Sequence, residues 1–222
     1  MNKKIKLVIF GLGEFGELAH FYFTNDSKYE VVAFCVDKAF KNTEEFLGLP
    51  VVEFENVEII YPPSEYDFFV AIGYSKLNKN RIEKYTISKR KGYYLANYVS
   101  SKNSVWNDFK VGENTFIMEN NTIMPFTKVG NNVLIWVGNI IAHHMVIEDH
   151  VTITSHCAIG GNVIIKSKAF IGLNATIRDG VIVGEQTIVA ASSNLVKNAD
   201  SGEVYMGNPA KSIGKKSYEI DL

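Results

Sequence analysis

The chain has 222 residues, of which 46% are hydrophobic and 21% are charged, and its formal net charge is -1 at pH 7. This composition excludes a disordered chain, and the balanced charge excludes a basic surface for nucleic acid. Its two cysteines are too few for a disulfide scaffold and lack the spacing of a metal site. No apolar run is long enough for a signal peptide or a membrane helix. We therefore expect a cytoplasmic protein without membrane insertion.

The first hundred residues alternate buried strands with helices. Their apolar runs and periodicity predict four strands and two helices: strands at 5–10, 31–36, 67–73 and 93–99, and helices at 14–23 and 76–89. The first strand runs directly into a G-x-G-x-x-G turn, Gly11–Gly16, and the second strand ends at Asp37. This order predicts a βαβ unit that binds a phosphate group at a helix N-terminus.

The glycine-rich turn is compatible with three interpretations. A dinucleotide site needs two mononucleotide halves, and a segment of about 95 residues supplies roughly one of them. We therefore expect a half-Rossmann domain that holds one nucleotide, and we do not expect NAD. The remaining interpretation is a tight turn in which glycine serves packing alone.

A repeat of six residues occupies the C-terminal half of the chain. Every sixth residue from Val111 to Leu195 is aliphatic, and the residues four positions later, such as Thr115, Ala169 and Ser193, are mostly small or β-branched. A period of six fits a short strand and a turn, repeated three times in a coil of about 18 residues. The repeat therefore predicts a parallel β-helix with the aliphatic residues inside and the small residues at the corners. Such coils wind left-handed, against the usual crossover rule.

The predicted architecture is an α/β half-Rossmann domain at 1–98, followed by a left-handed parallel β-helix with a C-terminal tail at 99–222. This order resembles the sugar O- and N-acyltransferases that include sialic acid O-acetyltransferases and bacillosamine- and perosamine-type nucleotide-sugar N-acetyltransferases. The resemblance is carried by the following segments: Gly11–Gly16, Asp37, Ala71-Ile72-Gly73, the hexads, Ile141-Ala142-His143-His144 and Gly207-Asn208-Pro209-Ala210-Lys211. It implies a homotrimer that uses acetyl-CoA as a co-substrate and needs no metal.

The resemblance identifies His143 as the catalytic base of acyl transfer. One coil further along the chain lies Gly161, which we expect beside the base because neighbouring strands are about 4.8 Å apart. In the family, the glycine at this position bonds the thioester carbonyl through its N–H. Many members orient the base with an acid that follows it, whereas this chain has His144 there, with Glu148 and Asp149 as alternatives.

The same resemblance implies the residues that bind both substrates. The nucleotide-sugar would be surrounded by Gly11, Gly13, Glu14, Phe15, Gly16, Asp37, Ile72, Gly73 and Tyr74. Acetyl-CoA would be contacted by Gly161, Leu173, Ala191, Pro209 and Lys211. Trp136 occupies a position that is Asn in some members; we expect an exposed indole that lines the sugar pocket, narrows the CoA channel or forms a trimer interface.

We therefore expect transfer of an acetyl group to the amino group of a nucleotide-linked amino sugar, for surface polysaccharide or glycan synthesis. The alternatives are O-acetylation of a sialic-acid-like sugar and, more remotely, a non-enzymatic module that binds nucleotide-sugars. A zinc enzyme of the γ-type carbonic anhydrase class is disfavoured. Its metal needs several histidines at one place, whereas His144, His150 and His156 are six residues apart and would point outward on different faces.

Overall fold

The computed structural model describes residues 4–221, which form two compact units. The first unit contains residues 4–73 and 80–98, and the second contains residues 74–79 and 99–221. The sequence predicted a single boundary after residue 98. In the structure, the short segment 74–79 also belongs to the second unit. Three consecutive residues in this segment, Lys76, Leu77 and Asn78, have left-handed backbone conformations, which end any helix at that point.

The first unit is built on a five-stranded sheet. Its elements, in chain order, are β1 (Ile5–Phe10), α1 (Glu14–Asn25), β2 (Tyr29–Val36), β3 (Glu45–Phe46), β4 (Leu49–Glu53), α2 (Val57–Ile60), β5 (Asp67–Val70) and α3 (Lys79–Arg90). The strand order is β3-β4-β2-β1-β5, with β4, β2, β1 and β5 parallel and β3 antiparallel to β4. The predicted half-Rossmann unit is therefore confirmed.

Two parts of this unit differ from the sequence prediction. The strand expected at 93–99 is reduced to β6 (Tyr98–Val99), preceded by a single parallel bridge between Leu95 and Phe68. Tyr93 and Leu95 gave this segment the apolar pattern of a strand. In the structure, both side chains are buried in the core around Phe68 without forming a continuous strand. The hairpin of β3 and β4, with its left-handed turn at Leu47 and Gly48, was not predicted because β3 is only two residues long.

The second unit contains fourteen strands of two residues. These strands are β7 (Phe116–Ile117), β8 (Thr122–Ile123), β9 (Lys128–Val129), β10 (Leu134–Ile135), β11 (Ile140–Ile141), β12 (Val146–Ile147), β13 (Thr152–Ile153), β14 (Ala158–Ile159), β15 (Ile164–Ile165), β16 (Phe170–Ile171), β17 (Thr176–Ile177), β18 (Ile182–Val183), β19 (Ile188–Val189) and β20 (Asn194–Leu195). A hairpin of β21 (Glu203–Gly207) and β22 (Ala210–Lys216) follows the last coil.

Each of these short strands ends on a residue of the predicted aliphatic period. Ile135 pairs in parallel with Ile153, and Ile141 pairs with Ile159, a register of one coil per step. The aliphatic residues from Ile117 onward are at most 8% exposed and form one continuous core. Burial of each isoleucine contributes about 1.5–3 kcal/mol relative to an exposed side chain. The predicted left-handed parallel β-helix is confirmed.

The corners of the coils explain why histidines recur at a spacing of six. From Asn114 to Ser192, every sixth residue has a positive φ, and His144, His150 and His156 occupy three successive positions of this series. Asn and His are enriched among the few non-glycine residues that adopt this conformation. The three histidines therefore lie on three different corners. Among residues 4–221, no group of three or more His, Cys, Asp or Glu side chains is arranged to hold a metal ion.

Among the described residues, no helix combines the length and the apolar character needed to cross a bilayer.

Candidate active site

His143 lies on an exposed corner of the β-helix between β11 and β12. Its Nδ1 atom is 3.0 Å from Nδ1 of His144, and the two ring planes are nearly perpendicular, at 86°. Since a hydrogen bond between two imidazoles needs one donor and one acceptor, a neutral pair fixes the tautomer of each ring. When His143 is the donor, its Nε2 carries the lone pair that a general base requires.

The preceding coil holds His144 in place. Its backbone N–H donates to the carbonyl of Pro125 at 3.2 Å, and its ring packs on Phe126 with the ring centroids 4.7 Å apart. The left-handed backbone of His144, with φ of 57°, points the ring back toward His143. Among the described residues, His144 is therefore the side chain that hydrogen-bonds the His143 ring.

The two acids that the sequence offered as alternative partners are engaged elsewhere. Glu148 accepts the Ser167 N–H at 2.9 Å, and Asp149 accepts the Asn131 N–H at 2.7 Å. Both bonds connect one coil to the next and hold corners together. In this structure the hydrogen bond to the His143 ring comes from His144, whereas both acids bond backbone N–H groups of neighbouring coils.

Gly161 lies directly against the His143 ring. A Cβ atom at position 161 would be 2.7 Å from Cε1 and 2.9 Å from Nε2 of His143, so a side chain there would displace the ring from its present position. The Gly161 N–H, however, donates to Oδ1 of Asp179 at 2.7 Å. The family resemblance implies that this N–H bonds a thioester carbonyl, whereas in this structure the Asp179 carboxylate occupies it.

Asp179 is a site residue that the sequence analysis missed. It lies one coil beyond Gly161 and two coils beyond His143, so the same step of 18 residues could have located it. The spacing places Asp179 in this column of residues, but it does not show that the side chain turns back to the Gly161 N–H. That direction depends on the rotamer of the side chain.

Leu173 and Ala191, the predicted pantetheine contacts, are exposed and stacked one coil apart. The carbonyl of Leu173 accepts the N–H of Ser192 at 2.7 Å, which joins the two coils. Leu173 is 30 residues beyond His143, which is one coil and about two thirds of the next. Within one chain, the predicted base and the predicted pantetheine contacts therefore lie on different edges of the β-helix.

Pro209 and Lys211, the predicted contacts for the nucleotide part of CoA, are both exposed in the terminal hairpin. Pro209 lies in the turn between β21 and β22, and Lys211 pairs with Met206 across the hairpin. Asn194 of β20 donates to the side chain of Asn208 at 3.0 Å. This bond connects the turn to the last coil of the β-helix.

The structure corrects the expectation for Trp136. The indole is half-buried, and its Nε1 atom is buried without an acceptor among residues 4–221. The ring of Tyr74 packs on it edge to face at 6.3 Å, and Tyr74 also contacts the Phe170 ring at 5.2 Å. Trp136 lies just before the corner at Gly138, whereas His143 lies on the next corner. It is therefore neither exposed nor beside the base of its own chain.

The glycines of the G-x-G-x-x-G turn divide into two kinds. Gly11 has a φ of 119°, and a Cβ atom there would be 2.6 Å from the carbonyl oxygen of Ala71. A Cβ atom at Gly16 would collide with the Gly11 carbonyl, so packing alone requires both glycines. At Gly13 and Gly73, in contrast, an added Cβ would meet no described atom within 4 Å. Gly13 is the N-cap of α1, and no side chain caps this helix.

The other predicted nucleotide contacts have different surroundings. Glu14 is exposed in the first turn of α1, and the ring of Phe15 packs edge to face on Phe69 at 6.2 Å. Ile72 is half-buried and packs against the core of the first unit. Tyr74 belongs to the second unit.

Asp37 follows β2 and is paired with a cation that sequence analysis missed. Its Oδ1 atom accepts a hydrogen bond from Nζ of Lys84 on α3 at 2.5 Å. The sequence predicted α3 only as a basic helix and did not single out Lys84. Asp37 and Lys84 are 47 residues apart in a region without a repeat, so spacing could not bring them together.

Comparisons with known proteins agree with this architecture. Residues 6–85 match the PglD N-terminal domain family. The match includes the glycine-rich turn, Asp37 and Lys84, and it confirms the resemblance drawn from the sequence. No curated protein matches the chain.

Several solved structures resemble almost the whole chain. The acetyltransferase domain of PglB from Neisseria gonorrhoeae FA1090 is 22% identical, with a TM-score of 0.84 over 95% of this chain and 100% of that one. PerB from Caulobacter crescentus, in complex with CoA and GDP-perosamine, is 23% identical, with a TM-score of 0.82 over 94% and 97% of the two chains. WeeI from Acinetobacter baumannii AYE is 23% identical, with a TM-score of 0.69 over 93% and 99%. These likenesses establish the fold.

Proposed function

We propose that this protein is an acetyl-CoA-dependent acyltransferase that acetylates the amino group of a nucleotide-linked amino sugar. The observation that carries the proposal is the placement of the His143 ring between Nδ1 of His144 and the Cα of Gly161, on an exposed corner of the β-helix. Similar structures of the PglB domain with acetyl-CoA, and of PerB with CoA and GDP-perosamine, support the two substrate classes.

In the proposed reaction, Nε2 of His143 accepts a proton from the sugar amine as the nitrogen attacks the thioester carbonyl. A C–N bond forms, the C–S bond breaks, and the CoA sulfur receives a proton from the His143 imidazolium. His144 accepts the Nδ1–H of His143 and stabilises the charge that develops on the ring. A base placed in this way contributes about 10²–10⁴ in rate.

The oxyanion needs a donor, and we assign that role to the Gly161 N–H in the complex with acetyl-CoA. Because Asp179 occupies this N–H in the structure, the thioester carbonyl must displace the Asp179 carboxylate when it binds. A carboxylate that stayed at the donor would repel the developing oxyanion, and one such donor contributes about 3–4 kcal/mol. Asp179 therefore competes with the substrate for the donor.

The separation of the base from the pantetheine contacts supports a homotrimer. His143 lies on one edge of the coil, and Leu173 and Ala191 lie on another, so a complete site requires a second copy of the chain. In the proposed assembly, acetyl-CoA lies between neighbouring β-helices, with Pro209 and Lys211 near its adenine and phosphates. Light scattering should give a mass near three times 24.9 kDa.

For the nucleotide-sugar, we propose binding at the carboxyl end of the sheet in the first unit. Gly13 leaves open space before the uncapped N-terminus of α1, where a pyrophosphate is favoured. Asp37 then accepts hydrogen bonds from the ribose or base. We assign the enzyme to the synthesis of surface polysaccharide or glycan, and to the cytoplasm because its donor, acetyl-CoA, is a cytoplasmic metabolite.

A thiol-release assay tests the proposed function. The protein is incubated with acetyl-CoA and a panel of UDP-, GDP- and dTDP-linked amino sugars, and free CoA and acetylated product are measured. We expect release of CoA with at least one amino sugar and an amide product that resists hydroxylamine. A product that hydroxylamine cleaves would show O-acetylation. Nucleotide-sugar binding without CoA release would identify a binding module.

A further inference from the structure

Lys84 is a partly buried cation whose position is fixed from several sides. Its side chain is 16% exposed, and its Nζ donates to Oδ1 of Asp37, whose side chain is 21% exposed. The same Nζ lies 5.5 Å from the ring centroid of Phe10 and 5.2 Å from that of Phe54. Cation–π contacts of this kind stabilise an ammonium group that has lost part of its water. Lys84 therefore presents a fixed charge to Asp37.

The contacts of Asp37 leave one carboxylate oxygen available. Its backbone carbonyl accepts the N–H of Phe40 at 2.8 Å, and its Oδ1 accepts from Lys84. The following residue is also held, since the Lys38 N–H donates to the Glu55 carboxylate at 3.0 Å. Within residues 4–221, Oδ2 of Asp37 accepts no hydrogen bond. The carboxylate is thus fixed with one acceptor still open.

This acceptor lies where parallel sheets bind ligands. Gly11, which follows β1, donates its N–H to the carbonyl of Cys35 at 2.9 Å, so the carboxyl ends of β1 and β2 are adjacent. Ligands of open α/β sheets bind outside these strand ends. The first turn of α1 already carries Glu14 and Glu17, and an unpaired Asp37 would add a third negative charge near a bound pyrophosphate.

We propose that Lys84 is a positioning residue for the nucleoside diphosphate part of the substrate. It neutralises Asp37 and fixes the carboxylate so that Oδ2 faces the hydroxyl or amide donors of the nucleoside. This inference rests on the proposed function for the identity of the ligand. It adds to that function a cation that acts through Asp37 and does not itself contact the reacting atoms.

The chain offers a matched control in Lys91. Its side chain is 14% exposed, its Nζ donates to the Glu58 carboxylate at 2.6 Å, and it lies 5.3 Å from the same Phe54 ring. Lys84→Met and Lys91→Met remove similar ion pairs from the same unit. A purely structural role for Lys84 would therefore give the two variants similar properties.

The test is isothermal titration calorimetry of the full chain with UDP, GDP and dTDP, together with acetyl-transfer kinetics. For the nucleotide that the wild type binds best, we expect Lys84→Met to raise Kd about tenfold or more. The reason is that the Asp37 carboxylate loses the charge-assisted hydrogen bond from Lys84 that holds it in place. The KM of acetyl-CoA should stay within about twofold, because that site lies in the other unit. Lys84→Arg should restore most of the affinity, and Lys91→Met should keep wild-type affinity.

A double-mutant cycle shows whether Lys84 acts through Asp37. We expect Asp37→Asn to weaken nucleotide binding and Lys84→Met to add little in that background, since the two groups form one unit. The proposal is overturned by full additivity, by equal losses in Lys84→Met and Lys91→Met, or by a wild type that binds none of the three nucleotides. If nucleotide binding depends on Lys84 but no acetyl transfer occurs, the inference stands and the proposed function fails.

Discussion

The two units of this protein differ in how sequence distance relates to spatial distance. In the β-helix, one coil takes 18 residues, so His143, Gly161 and Asp179 lie in one column. Adding 18 to the number of one of these residues gives its neighbour in the next coil. In the first unit, Asp37 and Lys84 meet across 47 residues without any repeat. The comparison shows that a periodic fold lets sequence spacing locate a site, whereas a layered α/β fold does not.

The largest effect should come from the residue that the repeat locates best. His143→Ala should lower kcat by about 10²–10⁴, because the amine loses its proton acceptor. His143→Asn should behave in the same way, since an amide cannot take up the proton. His156→Asn, on another corner, keeps a residue suited to a left-handed backbone and should retain activity. The measurement is kcat at saturating concentrations of both substrates.

The partner of the base sharpens this test. His144→Ala should cost less than His143→Ala, and the double variant should be no worse than His143→Ala, because the two rings act as one unit. The opposite ranking would identify His144 as the base. Full activity of His143→Ala at pH 7 would remove the mechanism altogether.

A second experiment compares two glycines of the first unit. Gly13→Val should raise the KM of the nucleotide-sugar about tenfold or more and leave the KM of acetyl-CoA nearly unchanged, since the new side chain enters the open space at the helix N-terminus. Gly11→Ala should instead destabilise the fold by about 1–3 kcal/mol, because φ is positive there and the carbonyl of Ala71 is too close. Steady-state kinetics and urea unfolding measure the two outcomes. Equal damage to both KM values in Gly13→Val would assign the turn to folding.

The competition at Gly161 predicts a smaller effect. Asp179→Ala should lower the KM of acetyl-CoA about two- to fivefold, because the donor N–H is released, while the lost hydrogen bond costs about 1 kcal/mol of stability. Asp149→Ala removes the corresponding bond to the Asn131 N–H, together with the bonds from the Asn131 side chain, and should lose at least as much stability without a change in KM. A hundredfold loss of kcat in Asp179→Ala would show instead that the carboxylate is needed for catalysis.

The smallest expected effect is the reaction of the two cysteine thiols, one in each unit, with a disulfide reagent. Burial raises the pKa of Cys35 well above its usual value, with a further contribution from Asp37, and burial raises the pKa of Cys157 to about 11. At pH 8, both thiols are therefore protonated, and we expect no reaction with a disulfide reagent in the native protein. In rising urea, the order in which the two cysteines become labelled shows which unit opens first. Rapid labelling of either thiol without urea would contradict the burial.

The sequence by itself determined the features that depend on local spacing. The period of six predicted the β-helix and its core, and the step of 18 predicted that Gly161 lies beside His143, because a coil has constant length. The motif at Gly11–Gly16 predicted the strand, turn and helix, because these glycines meet local steric demands. The predicted bounds of strands and helices differed most from the structure at 93–99 and at 76–78. At 93–99, Tyr93 and Leu95 are apolar core residues outside a strand. At 76–78, three left-handed residues prevent a helix.

Only the tertiary structure decided which hydrogen bonds the site residues make. In the folded chain, the Asp179 carboxylate accepts the Gly161 N–H, and Lys84 pairs with Asp37. The half-buried Trp136 packs against the ring of Tyr74. Each of these contacts depends on a side-chain rotamer or on packing between segments that no repeat relates. Spacing determines where a Cα atom lies in a periodic fold, but the direction of its side chain is set by the neighbours that the folded chain brings to it.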